Sequence, residues 1–169
     1  ILNPDGSKMS KRDAGAAVGD YPRQGFLPSA VVNFIALLGW SSKTDEEIFT
    51  SAELIERFTL ENVNRAPGRF DFEKCKWVNQ QHLLKVSADD FAAAAKPFVE
   101  DAGLPIPESF NAVAAAVKDK VRLLGEVPAA VDFLLKDEFA YDDEAVTKVR
   151  GNAAAKDLLA SLAGSFASL

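Results

Sequence analysis

A chain of 169 residues, 48% hydrophobic and 26% charged, is long enough for one ordinary domain or two small ones and too apolar for a disordered tract. No apolar run reaches the ~18–20 residues of a membrane span, and the single Cys and single His, Cys75 and His82, exclude a disulfide framework and a Cys/His zinc site. The net charge of −6 argues against a generic nucleic-acid binder. The lone Cys fits a reducing cytoplasm, where the chain is expected to work.

Residues 1–19 read as an irregular loop with a turn at Asn3-Pro4-Asp5-Gly6 and short strands near residues 14–19. A short helix from Asp20 to Gln24 stops at Gly25. Pro28 suits a first helical position, and Ala30, Val31, Phe34, Ile35, Leu37 and Leu38 then make one apolar stripe ended by Gly39. Thr50 and Glu53 form a capping box for a helix bearing Leu54, Ile55 and Phe58. Pro67 to Phe72 is extended, and Asp71 caps a helix carrying Cys75, Val78 and Leu83. Ser87 with Asp90 is a second capping box, for a helix ending before Gly103. Pro105 and Pro107 break the chain. Helices are expected at Ser109–Leu124, Pro128–Leu135, Asp143–Val149 and Ala153–Leu162.

Charge and alanine divide the chain near Val86-Ser87. Residues 1–85 hold 11 basic and 11 acidic side chains, whereas residues 86–169 hold 8 and 14. Twenty of the 27 alanines follow residue 85, so the second part should be nearly all helix. Within the first part, residues 62–85 carry Arg65, Arg69, Lys74, Lys76 and Lys85 against Asp71 and Glu73, a surplus of +3. Such a surplus is either a solvated face or a local phosphate-contact patch.

The informative segment is Gly6-Ser7-Lys8-Met9-Ser10-Lys11-Arg12. Two lysines flank a small residue in a Gly-containing loop, which can fold over a polyphosphate. A lysine ammonium is a compact charge that can follow negative charge onto a leaving pyrophosphate. Ser10 offers a hydroxyl or backbone N–H to phosphate. Four such letters alone also fit an exposed basic loop.

The wider sequence narrows the choice. Lys8-Met-Ser-Lys-Arg-Asp-Ala-Gly-Ala resembles the second signature of class I aminoacyl-tRNA synthetases, in the Lys-Arg form of bacterial glutamyl-tRNA synthetases. Gly25-Phe-Leu-Pro, then Asn33-Phe-Ile and Leu37-Leu-Gly-Trp40-Ser, are similar to a segment of that family. Phe58, Val63-Asn64-Arg65, Phe70-Asp71 and Lys74-Cys75-Lys76-Trp77-Val78-Asn79 follow in its order. The resemblance is dense over residues 5–85 and looser beyond, where it rests on helical pattern and Val121-Arg122-Leu123-Leu124. Two departures stand out. Asp13-Ala14 occupies the place of a usual His-Gly or Asp-Gly. The family's Rossmann domain, with its His-x-Gly-His motif, is expected upstream of Ile1, and further anticodon-binding helices after Leu169, so the chain reads as part of a longer protein.

The resemblance implies a mainly α fold: a signature loop and helical stem-contact region at residues 1–85, then a helical-bundle anticodon-binding domain at residues 86–169. It implies a glutamate–tRNA ligase that activates glutamate with ATP and Mg2+ and transfers it to glutamate tRNA, with the chain inactive by itself. Lys11 takes the catalytic role of transition-state charge stabilisation. Lys8, Ser10 and Lys11 contact ATP. Arg65, Arg69, Lys74, Lys76 and Arg122 contact tRNA. No metal site lies in the chain, and a monomer with no membrane partner is expected. Trp40 and Trp77 are expected as core anchors and Cys75 as packed, while Asn79 and His82 stay open between structural and functional roles. The rival readings are another class I synthetase, such as the glutaminyl enzyme, a short paralogue without an anticodon-binding region, and a helical protein-interaction module with a chance Lys-Met-Ser-Lys.

Overall fold

The computed structural model describes residues 1–13, 15–136 and 141–167. Residues 1–136 form one compact unit and residues 137–169 a second. In the first, helices α1 (Asp20–Gln24), α2 (Pro28–Gly39), α3 (Ser51–Arg57), α4 (Phe72–Lys85), α5 (Ala88–Asp101), α6 (Phe110–Val117) and α7 (Val127–Leu135) follow in order. The second holds α8 (Asp143–Gly151) and α9 (Ala155–Ala167). The fold is mainly α, as the sequence implies.

The helix ends are written in local chemistry. Thr50 accepts the Glu53 N–H while the Glu53 carboxylate accepts the Thr50 N–H, a complete capping box. Asp71 and Ser87 accept from the amides of Lys74 and Asp90 and start α4 and α5. Pro97 lies inside α5, on its exposed side, so the bond it forfeits is lost beside solvent and the helix continues.

The extended pairing lies elsewhere than expected. Residue 14 is outside the described residues and 15–19 carry turns, not strands. Instead Leu2 bridges Lys8 in antiparallel and Arg69 in parallel sense, and Trp40 bridges Val63. The helix expected through Leu124 stops at Val117. Val121, Leu123 and Leu124 are buried beyond it, and the Leu124 N–H donates to the Gly25 carbonyl at 3.1 Å, a bond that helical continuation would withdraw. The Glu126 carboxylate accepts the amides of Arg122 and Leu123 at 2.7 and 3.2 Å, so the departing turn is satisfied.

One apolar core gathers Tyr21, Phe26, Phe34, Phe70, Cys75 and Val78 around α2 and α4. Another gathers Phe91, Val99, Phe110, Val117, Val127 and Val131 around α5, α6 and α7. Gly25 brings the two together. It ends α1 in a left-handed conformation (φ +88°), and a Cβ there would strike the backbone nitrogens of Leu124 and Gly125.

Three buried polar side chains tie the elements. Asn33 Nδ2 donates to the Glu47 carbonyl at 3.0 Å, and its Oδ1 accepts the Phe49 N–H at 2.9 Å. That oxygen also lies 2.9 Å from His82 Nε2, so His82 carries its proton there and its Nδ1 accepts from Ser29 Oγ at 3.1 Å. Asn79 accepts the Leu27 N–H at 2.8 Å and donates to the Arg122 carbonyl at 2.6 Å. Asn79 and His82 are thus structural. Trp40 is a core anchor at 2% exposure, against Phe49 and Phe58. Trp77 is not: it is 38% exposed, because Cys75, Val78, Asn79, His82 and Leu83 take the inward face of α4.

Two predictions follow from this latch. Replacing Asn79 by Ala leaves the Leu27 N–H and the Arg122 carbonyl without partners, at about 1–3 kcal/mol for each. Urea denaturation should therefore register a loss of at least about 2 kcal/mol, and a loss under a few tenths would remove Asn79 from the frame. Burial, and secondarily the charge of Lys85, lowers the His82 pKa below its ordinary 6.5. The native state then takes up this proton less readily than the unfolded chain. Stability from this residue is complete above about pH 6.5 and declines as the pH falls through the depressed native value. In paired denaturation curves across pH 4.5–7.5, His82→Gln should flatten that decline; identical slopes would show that His82 contributes none of it.

Candidate functional site

The signature loop is built on paired backbone. The Leu2 N–H donates to the Gly68 carbonyl at 2.9 Å and the Phe70 N–H to the Leu2 carbonyl at 2.8 Å. Gly68 lies so close to the Leu38 carbonyl that any Cβ would overlap it, and Phe70 is buried edge-on against Phe34, 5.2 Å between ring centres. The segment that carries the loop is therefore fixed to the end of α2 and to the core. On the other side the Asn3 N–H donates to the Ser7 carbonyl at 2.8 Å and the Met9 N–H to the Ile1 carbonyl at 3.3 Å.

Within this frame Lys8, Ser10, Lys11 and Arg12 are exposed. No cation of the loop forms an ion pair among the described residues. Of the three cations, Arg12 lines a cavity of about 590 Å3 together with Asn3, Asp5, Asp13, Phe70 and Phe72. The Ser10 N–H is already held by Asp13 Oδ2 at 2.7 Å, and Ser10 Oγ accepts the Arg12 N–H at 3.2 Å. The Ser10 hydroxyl also helps to lower the Asp13 pKa, so an anion that takes its proton does so in competition with that carboxylate. The Ser10 amide, and then the Asn3 carboxamide, hold the Asp13 carboxyl below the ordinary carboxylate range, so it is ionised at neutral pH.

The basic residues of the second group are mostly engaged. Arg65 is exposed and has no hydrogen bond or ion pair among the described residues. Arg69 Nη1 reaches the Pro4 carbonyl at 3.5 Å, so it stands beside the signature loop. Lys74 pairs with Glu47. Lys76 Nζ lies 2.9 Å from Glu73 Oε1 and above the Phe72 ring. Arg122 is on the extended segment after α6 rather than on a helix face, with Nη1 2.8 Å from Glu73 Oε2. Glu73 thus serves two cations at once, and Lys76 first and Arg122 second keep its pKa low. Glu47 and Glu73 are what sequence reasoning missed. Glu73 was visible three residues before Lys76, a helical pair spacing; Glu47 lies 27 residues from Lys74 and left no local signal. Cys75 is buried, its thiol pushed up to about 12 by burial, and it is no nucleophile.

Comparison with known proteins gives the class first. Residues 1–77 match the family described as tRNA synthetases class I (E and Q), catalytic domain, and residues 90–169 match the family described as anticodon binding domain. The glutamate–tRNA ligase of Akkermansia muciniphila is 54% identical over 153 residues, covering 90% of this chain and 35% of that protein. That of Symbiobacterium thermophilum is 41% identical, covering 88% and 33%. A crystal structure of a glutamate tRNA ligase from Elizabethkingia meningosepticum, in complex with its amino acid, superposes with a TM-score of 0.83 at 28% identity, over 100% of this chain and 37% of that one. The chain belongs to the glutamate–tRNA ligase family and spans about a third of the length of the curated relatives it matches.

The shared carboxylate makes a prediction. Glu73→Gln releases Lys76 and Arg122 together, so binding of a polyanion such as tRNA should tighten and its log–log salt dependence steepen by about 1–2 units. Filter binding at four salt concentrations measures both. Unchanged affinity and slope would mean that neither cation reaches phosphate.

Proposed function

We propose that this chain is the tRNA-facing part of a glutamate–tRNA ligase, which activates glutamate with ATP and then transfers it to glutamate tRNA. In the first step a glutamate carboxylate oxygen attacks the α-phosphate, a P–O bond forms and pyrophosphate leaves. In the second, a ribose hydroxyl at the tRNA 3′ end attacks the activated carbonyl and AMP leaves. Lys11 is the catalytic residue, neutralising charge that builds on the departing pyrophosphate. Lys8, Lys11 and the Ser10 hydroxyl bind the ATP phosphates. Mg2+ accompanies those phosphates.

Arg65, Arg69, Lys74, Lys76 and Arg122 meet the tRNA backbone, the first two directly and the others by exchanging a carboxylate for a phosphate. The working division falls between residues 85 and 86, with the signature loop and stem contacts before it and anticodon contacts after it. The enzyme acts in the cytoplasm as a monomer. The observation that carries the reading is the joining of the exposed Lys8–Arg12 loop, through Leu2, to the Gly68–Phe70 segment that holds Arg69: the residues assigned to ATP phosphate and to tRNA phosphate share one small frame.

Two measurements test it. In the ligase that carries this chain, Lys11→Ala should slow glutamate activation by about 10²–10³-fold with little change in ATP affinity, since its partner charge develops mainly in the transition state. Residues 1–169 alone should give no pyrophosphate exchange, and an unchanged single-turnover rate in the Lys11 variant would remove the loop from the chemistry. Arg65→Ala with Arg69→Ala should weaken tRNA binding and lower the salt slope by about one to two units while leaving the KM for ATP alone. A double variant that keeps both affinity and slope would reduce Arg65 and Arg69 to solvated surface.

A further inference from the structure

The two ends of the lysine loop meet on one side chain. Asn3 Nδ2 donates to Ser7 Oγ, just before Lys8, and to Asp13 Oδ2, just after Arg12, each at 3.0 Å. The same Asp13 oxygen reaches back into the loop and accepts the Ser10 N–H at 2.7 Å. The Asp13 N–H in turn donates to the Ser10 carbonyl at 3.2 Å, so the peptide units on both sides of Ser10 are held by this one residue. Lys11 is the next residue along, and its backbone nitrogen belongs to the second of those units. Asn3 is itself held by its N–H on the Ser7 carbonyl, on a segment rooted through Leu2 in the Gly68–Phe70 backbone.

The charge arrangement is the unusual part. An aspartate within two residues of Lys11 and adjacent to Arg12 would ordinarily pair with one of them. It forms an ion pair with neither; its carboxylate takes the N–H groups of Ser10 and Asn3, with the Ser10 hydroxyl as a lesser contributor. Charge-assisted bonds of this kind are stronger than neutral ones. The carboxylate therefore shapes the backbone and leaves the cations open to an anion.

We propose that Asp13, seated by Asn3, is a positioning residue of the ligase: it fixes the Ser10–Lys11 backbone so that the Lys11 ammonium meets the leaving pyrophosphate in one geometry. The inference rests on the proposed function and deepens it. Removing Asp13 leaves Lys11 in place but lets its backbone wander, and a misplacement of about 1 Å can cost about 10²-fold in rate. Charge alone predicts the opposite sign for binding, since deleting a carboxylate beside two lysines and an arginine strengthens their hold on an anion. Geometry and charge are thereby separable.

The test compares Asp13→Ala, Asp13→Asn, Asn3→Ala and Lys11→Ala in the ligase, with active sites counted so that unfolded protein does not enter the rate. Asp13→Ala should lower kcat for glutamate activation by about 10–100-fold, with the KM for ATP unchanged or lower. Asp13→Asn, which keeps an acceptor for the Ser10 N–H but not the charge, should recover part of the rate. Asn3→Ala should fall between Asp13→Asn and wild type. In residues 1–169, hydrogen exchange should show the Ser10 amide losing protection in Asp13→Ala while the Phe34 amide in α2 keeps it. If Lys11→Ala is slow and Asp13→Ala is not, the positioning role is wrong and the proposed function stands. If Lys11→Ala keeps its rate, both fall. A raised KM for ATP with kcat intact would make Asp13 part of nucleotide binding instead, which also overturns the inference.

Discussion

The inward face of α4 is the constraint on which the first unit is built. Its buried members are Cys75, Val78, Asn79, His82 and Leu83, spaced three and four apart. Two of the five are polar, and a buried amide or imidazole is tolerated only where its partners are in place. Asn33 sets the order. Its carboxamide is oriented by two backbone groups, the Glu47 carbonyl and the Phe49 N–H, and that orientation leaves His82 a single neutral tautomer. Asn79 closes the other end between Leu27 and Arg122. A helix with only apolar residues on this face would stick; this one is also fixed in rotation and in depth, since neither asparagine can slide without losing two bonds.

Fixing that face fixes what is left outside. Positions 73, 74, 76 and 77 cannot turn inward while 75, 78 and 79 do, and so a carboxylate, two ammonium groups and an indole are set on the outer side of α4. This explains both the exposure of Trp77 and the pairing of Lys74 and Lys76. A local surplus of +3 in the sequence, over residues 62–85, is not a field of the same size in space. Glu47 and Glu73 neutralise Lys74, Lys76 and Arg122 in part, and exposed pairs of this kind are worth ~0–1 kcal/mol, little enough for an incoming phosphate to replace.

What could be read from the sequence was local. Thr50 with Glu53, Asp71, Ser87, Pro28 and Gly25 each carry their helix-boundary chemistry within four residues, and each helix starts or stops where they say. The Lys-Met-Ser-Lys letters and the Leu-Leu-Gly-Trp segment were likewise contiguous. What could not be read depends on distance along the chain. The pairing of Leu2 with Arg69 joins residues 67 apart, and the turn-out after Val117 is decided by a bond from Leu124 to Gly25. Asn79 and His82 looked ambiguous because their partners, Leu27, Asn33, Ser29 and Arg122, lie 43–53 residues away.

The loop and the latch are joined by short range contacts throughout. Asp13 and Asn3 hold the loop to Leu2, Leu2 shares two backbone bonds with Gly68 and Phe70, and Gly68 lies against the Leu38 carbonyl near the end of α2. Five residues earlier in that helix is Asn33. The steps are hydrogen bonds of the backbone or of the short Asn3 and Asp13 side chains, or a contact with no room for a methyl group, and none passes through a long flexible side chain. A lysine that must meet charge at one moment of a reaction gains from such a base, because its own four-carbon stem supplies reach and only the backbone beneath it has to be still. The loop is therefore rigid at its root and free at its tips, which is the division of labour that exposed, unpaired Lys8 and Lys11 above a held Ser10 amide describe.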